Sequence, residues 1–208
     1  MASLANEKYF DRTQLGSRTA LGALSEFDDS FLGARGFNAR GERVGGITTP
    51  KQVIVPAGAL LVRTFGGGAR QVGQWWFSVF ELKSMLSHAG HSDLVEGRDA
   101  GKGLLHAFLA ILRNEWKSTC ESFGVAALVE PLYAFYGAGD HAVYGPDGGQ
   151  KAALMWMAGR QRGMRQLFLP RLWEYSSTLV WRIPHGDVDR ELAATCGQLP
   201  AAPLPFEL

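Results

Sequence analysis

The chain has 208 residues, 46% hydrophobic and 20% charged: enough apolar material for one domain with a substantial core, and too ordered a composition for a disordered chain. Its 21 Lys and Arg nearly balance 20 Asp and Glu, which argues against a nucleic-acid surface or an anionic membrane partner. The two cysteines, Cys120 and Cys196, are too far apart for a metal or redox motif, and the opening residues, Met1 to Lys8, lack the apolar core of a signal peptide. No apolar stretch reaches the ~18 residues that span a bilayer. The expectation is a soluble, cytoplasmic protein; delivery by a specialised secretion system would leave no mark in such a sequence.

Residues 1–50 are polar and punctuated by glycine, with an arginine-rich loop from Gly33 to Gly41. They read as an extension carrying a short helix within Arg18 to Phe27. The turn Pro56-Ala57-Gly58 then feeds an apolar run that ends Leu60-Leu61-Val62-Arg63-Thr64-Phe65, followed by Gly66, Gly67 and Gly68. A second short strand is expected from Gln74 to Ser78. The period then becomes helical: Val79, Leu82, Met85 and Leu86 share one face and predict a helix ending before Gly90. Leu104, Leu105, Phe108, Ile111, Leu112 and Trp116 predict a longer one from Gly103 to Phe123, stopped by Gly124.

The remainder reads as strands. Val125 to Tyr136 is a continuous apolar run ending in aromatics, and a glycine-rich bend follows from Gly137 to Gly149. Ala152–Met157, Arg165–Leu169 and Thr178–Ile183 are further expected strands, the last two ended by Pro170 and Pro184. Residues 199–208, with three prolines, read as an extended tail. Early strands, helices and then late strands indicate an α+β domain over residues 51–198. A dinucleotide-binding Gly-x-Gly-x-x-Gly and a P-loop are both absent.

Arg63 is the candidate that stands out. Desolvating a guanidinium is expensive, so an arginine ending a core strand beside glycines either clamps an anion, phosphate above all, or pairs with a carboxylate at the strand end. Both readings stay open. Trp75 and Trp76 alternate across their strand, so at most one can line a given pocket. His88 and His91, with Gly90 between them and no acid or cysteine near, make a poor metal site, and no metal is expected. His106 reads as a helix-surface residue and Asp140-His141 as a solvated turn.

The order of these motifs carries a resemblance. Val55 to Arg63 with its glycines, Gly73 to Ser78, and the late Arg165-Gln166-Leu167-Phe168-Leu169-Pro170 resemble ADP-ribosyltransferase-type, NAD-consuming domains, in particular bacterial toxin NAD glycohydrolases of the tuberculosis necrotizing toxin type. The resemblance implies split, mostly antiparallel sheets with an enlarged helical segment between early and late strands. It implies NAD as substrate and cleavage of the nicotinamide–ribose bond. Arg63, Ser78 and Gln166 would be the catalytic set; Arg63, Thr64, Phe65, Gly66, Trp75 and Trp76 would hold the dinucleotide. A protein target or a cognate immunity protein would be the macromolecular partner.

This sequence departs from that pattern where a late-strand glutamate should stand: two residues after Gln166 comes Phe168. Glutamine can orient a ribose through hydrogen bonds but cannot carry the charge that stabilises an oxocarbenium-like transition state. A related NAD-cleaving group built on arginine, glutamate and serine needs an acid in the pocket, and Glu81 is its nearest candidate in sequence; Glu174 reads as a solvated loop acid. A different class of reading is a non-catalytic interaction or inhibitor protein that uses its six tryptophans and the aromatics Tyr133, Phe135 and Tyr136 as a binding surface.

Overall fold

Runs of β-branched and aromatic residues bury themselves by pairing across the chain rather than along it. In the computed structural model, which describes residues 3–18, 22–37, 40–41, 46–66, 71–83, 121–139, 165–200 and 206–207, eight strands result. They are β1 (Lys51–Val55), β2 (Leu60–Phe65), β3 (Trp75–Ser78), β4 (Ser122–Leu128), β5 (Leu132–Ala138), β6 (Arg165–Phe168), β7 (Leu179–Asp187) and β8 (Phe206–Glu207). They form one sheet in the order β7-β4-β2-β3-β6-β5-β1-β8, and every neighbouring pair is antiparallel. With α-helical segments beside the sheet, the architecture is α+β with a mostly antiparallel sheet.

Side chains alternate across a strand, so the register assigns each residue a face. Leu61, Trp76, Ala126, Leu128, Ala134 and Leu167 share one face and are buried in the main core. The opposite face of the β6–β5–β1 half carries Phe135 and Phe168. It is covered by Phe10, whose ring lies 4.7 Å from Phe135, and by helix α1 (Glu26–Ala34), whose Gly33 meets the Phe168 ring. Ser25 starts α1 by accepting a bond from the Asp28 amide and donating one to its carboxylate.

The described residues of the first fifty therefore belong to the packed domain. Tyr9, Phe10, Phe27, Ala34 and Ile47 are all core residues. Asn6 is fully buried and bonds both backbone groups of Tyr133, as a neighbouring strand would (2.7 and 3.0 Å). The helix expected within Arg18–Phe27 begins instead at Glu26, while Arg18 and Leu24 form an isolated β-bridge.

Other expectations change for local reasons. Lys51–Val55 is a strand of its own, because the Pro56–Gly58 turn separates two strands that pair with different partners. The apolar run Val125–Tyr136 is likewise two strands, broken before Pro131, which offers no amide to a ladder. Phe123, expected at a helix end, lies in β4. Pro184 does not stop its strand: β7 is an edge, where a missing donor is tolerated, and it runs on to Asp187. Helix α2 (Val188–Gln198) follows, its start capped by the Asp187 carboxylate accepting from the Arg190 amide (3.0 Å). From the tail, Phe206–Glu207 adds to β1 as β8. Most of the expected helix Gly103–Phe123, the strand Ala152–Met157, the bend beyond Gly139, and Cys120, His88, His91, His106 and Asp140-His141 lie outside the described residues.

Candidate functional site

Two polar centres lie at opposite ends of β2 and β3. The first is built around Arg63, the one partly buried residue in a strand otherwise buried throughout. Its Nη1 donates to the Trp75 carbonyl (2.7 Å), and its guanidinium lies so close over Gly73 that any side chain there would displace it. Phe65 stands two residues further along the same face and is buried, its ring set edge-on to that of His185 with the centroids 5.7 Å apart. His185 Nε2 in turn lies 3.0 Å from Ser122 Oγ, and Ser122 pairs directly with Phe65 in the β2–β4 register. Gly66 leaves the strand at φ 148°, a conformation that favours glycine.

The second centre starts at Ser78, which pairs with Leu61 on the same face as Arg63. Its hydroxyl accepts from the Glu81 amide (3.2 Å) and so caps helical residues 79–83. The Glu81 carboxylate accepts from the Tyr136 hydroxyl (3.0 Å) and from the Arg165 amide (3.3 Å). It is only 5% exposed, and burial raises its pKa above the ordinary carboxyl value against the pull of those two bonds and of the Arg165 charge. Tyr136 is pushed up to about 12, first by burial and then by the negative charge of Glu81. The Arg165 guanidinium lies over the Tyr136 ring, 5.5 Å from its centroid.

The expected residues divide between these centres and the core. Arg63, Phe65 and Gly66 stand together at the first. Thr64 points to the other face, where it is buried beside Phe123 in the register. Trp75 also takes that face and packs edge-on against Phe168 at 4.8 Å. Trp76 is 1% exposed, donates its indole N–H to the Gly73 carbonyl (2.7 Å) and leans on Trp181; it is a core pillar, not a wall for a ligand ring. Ser78 belongs to the second centre. Gln166 does not: it is buried, pairs with Gly137, and projects from the face opposite Arg165 and Leu167. The register thus does not gather Arg63, Ser78 and Gln166 on one wall.

Sequence reasoning missed His185 and Ser122, and named Tyr136 only as part of an aromatic binding surface. Nothing local marked their contacts, because Ser122 and His185 are 63 positions apart and Tyr136 meets Glu81 across 55. Glu81 did carry a signal: Ser78-Val79-Phe80-Glu81 has the spacing of a capping box. Glu174 is more than a solvated acid, since it accepts from the buried Tyr9 hydroxyl and pairs with Lys8 (3.4 Å) and Arg171 (3.5 Å). No helix among the described residues is long and apolar enough to cross a membrane.

The sequence matches no protein-family model and no curated protein sequence. Among solved structures, one described as "Rhs1-CT in complex with cognate immunity protein RhsI1" is similar at 15% identity and a TM-score of 0.46, over 76% of this chain and 95% of that chain.

Proposed function

We propose that this protein binds NAD through Arg63 and cleaves its nicotinamide–ribose bond. The observation that carries the reading is the seat of the Arg63 guanidinium: a charged group at the end of a core strand, laid on the bare backbone of Gly73 and beside the buried Phe65. A planar donor set of that kind suits a pyrophosphate, and the glycine beneath it leaves the room in which the guanidinium sits. Cleavage breaks the C–N glycosidic bond, returns its electron pair to the pyridine nitrogen and leaves positive charge on the ribose, to which water or another nucleophile then adds. That step needs a negative group. Glu81 is the one buried carboxylate among the described residues, and its bonds to Tyr136 and to the Arg165 amide hold it in one orientation. In this reading Glu81 supplies the charge that Gln166 cannot.

The test is NAD consumption by the purified protein, with chromatography of nicotinamide and ADP-ribose. Free ADP-ribose identifies hydrolysis, and nicotinamide release that requires an added acceptor identifies transfer. Arg63→Ala should lose NAD binding, and Glu81→Gln should lose about 10²-fold or more in turnover with binding retained. Gln166→Ala separates the two assignments, because it should leave turnover intact if Glu81 is the acting group. A protein that neither binds nor consumes NAD would overturn the proposal and favour the interaction-protein reading.

A further inference from the structure

The contact between Ser122 and His185 has no evident purpose in the fold. His185 is exposed and Ser122 half-buried, they come from neighbouring strands, and their bond seals no core. A single hydrogen bond of this kind at the rim of a sheet contributes little to stability. Yet it stands against Phe65, which follows Arg63 by two residues on the same face, so the pair borders the guanidinium's end of the sheet.

Resting on the reading of Arg63 as a pyrophosphate clamp, we propose that Phe65, Ser122 and His185 receive the adenosine-side ribose of the dinucleotide, its hydroxyls meeting the Ser122–His185 pair. The chemistry matches. A serine hydroxyl and an imidazole each donate and accept, as a ribose diol does, and His185 Nδ1 has no partner among the described residues. Phe65 offers an apolar edge to the sugar's carbon face. The surroundings also discriminate. Asp187 stands directly opposite Ser122 in the β4–β7 register. A ribose with free hydroxyls is accepted beside that acid, whereas a 2′-phosphate would meet like charge.

The assignment also orients the ligand. With the adenosine side at His185 and the pyrophosphate at Arg63, the nicotinamide side is directed along β2 towards the Leu61–Ser78 pair. Arg63 lies two strand positions from that pair, about 7 Å.

The experiment is calorimetric titration of the full chain with ADP-ribose, with 2′-phospho-ADP-ribose and with inorganic pyrophosphate, which has no ribose. Ser122→Ala and His185→Ala should each weaken ADP-ribose about tenfold and leave pyrophosphate unchanged, while Arg63→Ala loses both. The 2′-phosphorylated ligand should bind the wild type about tenfold or more weakly than ADP-ribose. If both variants bind ADP-ribose as the wild type does, the ribose assignment fails while the Arg63 clamp stands. If they lose pyrophosphate equally, the pair acts through Arg63 and the assignment also fails. Equal affinity for the 2′-phosphorylated ligand overturns the discrimination. A wild type that binds no ADP-ribose overturns both readings. Ribose-dependent binding without any NAD turnover would leave this subsite standing and remove the cleavage activity. Because His185 is exposed and Ser122 only half-buried, unchanged melting temperatures are expected and confirm that folding is not the cause.

Discussion

The Arg63 guanidinium occupies the space that a side chain at Gly73 would need, so the two residues are fitted to one another across the start of β3. Gly73→Ala should therefore act on the arginine and hardly at all on the fold. The obstructing atoms are the far end of a flexible side chain, which can swing away, so the stability change stays under about 1 kcal/mol. Dinucleotide affinity should fall about tenfold as the guanidinium leaves its seat. Unfolding curves and NAD titrations of the one variant check both halves; unchanged affinity would show that the clamp does not depend on this geometry.

Glu81 supplies a prediction with a sign. Burial raises its pKa in the folded state above the ordinary 4.5 of a glutamate, so the folded protein holds that proton more tightly than the unfolded chain does. The cost of the buried charge is absent below the unfolded-state value and grows as pH rises through the raised one. Glu81→Gln removes this cost, so the variant's stability relative to wild type should increase with pH across that window and level off above it. Urea midpoints from pH 4 to 8 measure the difference. A difference that is flat in pH would mean the charge is fully compensated by Tyr136 and Arg165.

The aromatic anchor of the amino-terminal segment should be among the most costly residues to truncate. Phe10 is buried and contacts both Tyr133 and Phe135, at 5.4 and 4.7 Å. Phe10→Ala should cost about 3–5 kcal/mol and be visible as a large drop in melting temperature. A loss below about 1 kcal/mol would return the segment to the status of an arm laid on the surface.

At the other end of the sheet, Asp187 closes β7 and opens α2. Asp187→Ala leaves the Arg190 amide without its partner and should cost about 1 kcal/mol, measured by chemical denaturation. Asp187→Asn, which can still accept that bond, should recover most of the loss.

How much of this was legible depended on distance along the chain. Leu60–Phe65 and Trp75–Ser78 announce themselves as strands, since apolar content and bounding glycines are local properties, and Arg63 is conspicuous because it interrupts such a run. Tyr9 and Phe10 lie in a stretch with no period, so only their docking against Phe135 shows that they belong to the core. Helix α2 is too polar to display a stripe beyond Val188 and Leu192. Pro184 reads as a stop because sequence does not reveal which strand will be an edge. The resemblance makes Gln166 a partner for Ser78, and only the β3–β6 register shows that their side chains leave opposite faces. The Ser122–His185 pair had no local trace.

The strand order also governs how the protein is assembled. β4 sits between β2 and β7, while β5, its successor in the chain, lies between β6 and β1. Among the described strands, only β2–β3 and β5–β6 join consecutive ones; β1 meets β5 across roughly eighty residues, as in Lys51 with Tyr136. Loop-closure entropy has to be met before most contacts form, which places folding in the slow regime of milliseconds to seconds. During synthesis the apolar β2 stays without its β4 neighbour until some sixty further residues have followed, as the pairing of Leu61 with Ala126 shows. A nascent chain in that condition offers a sticky, half-paired hairpin, so its yield in the cell should depend on chaperones that shield such segments.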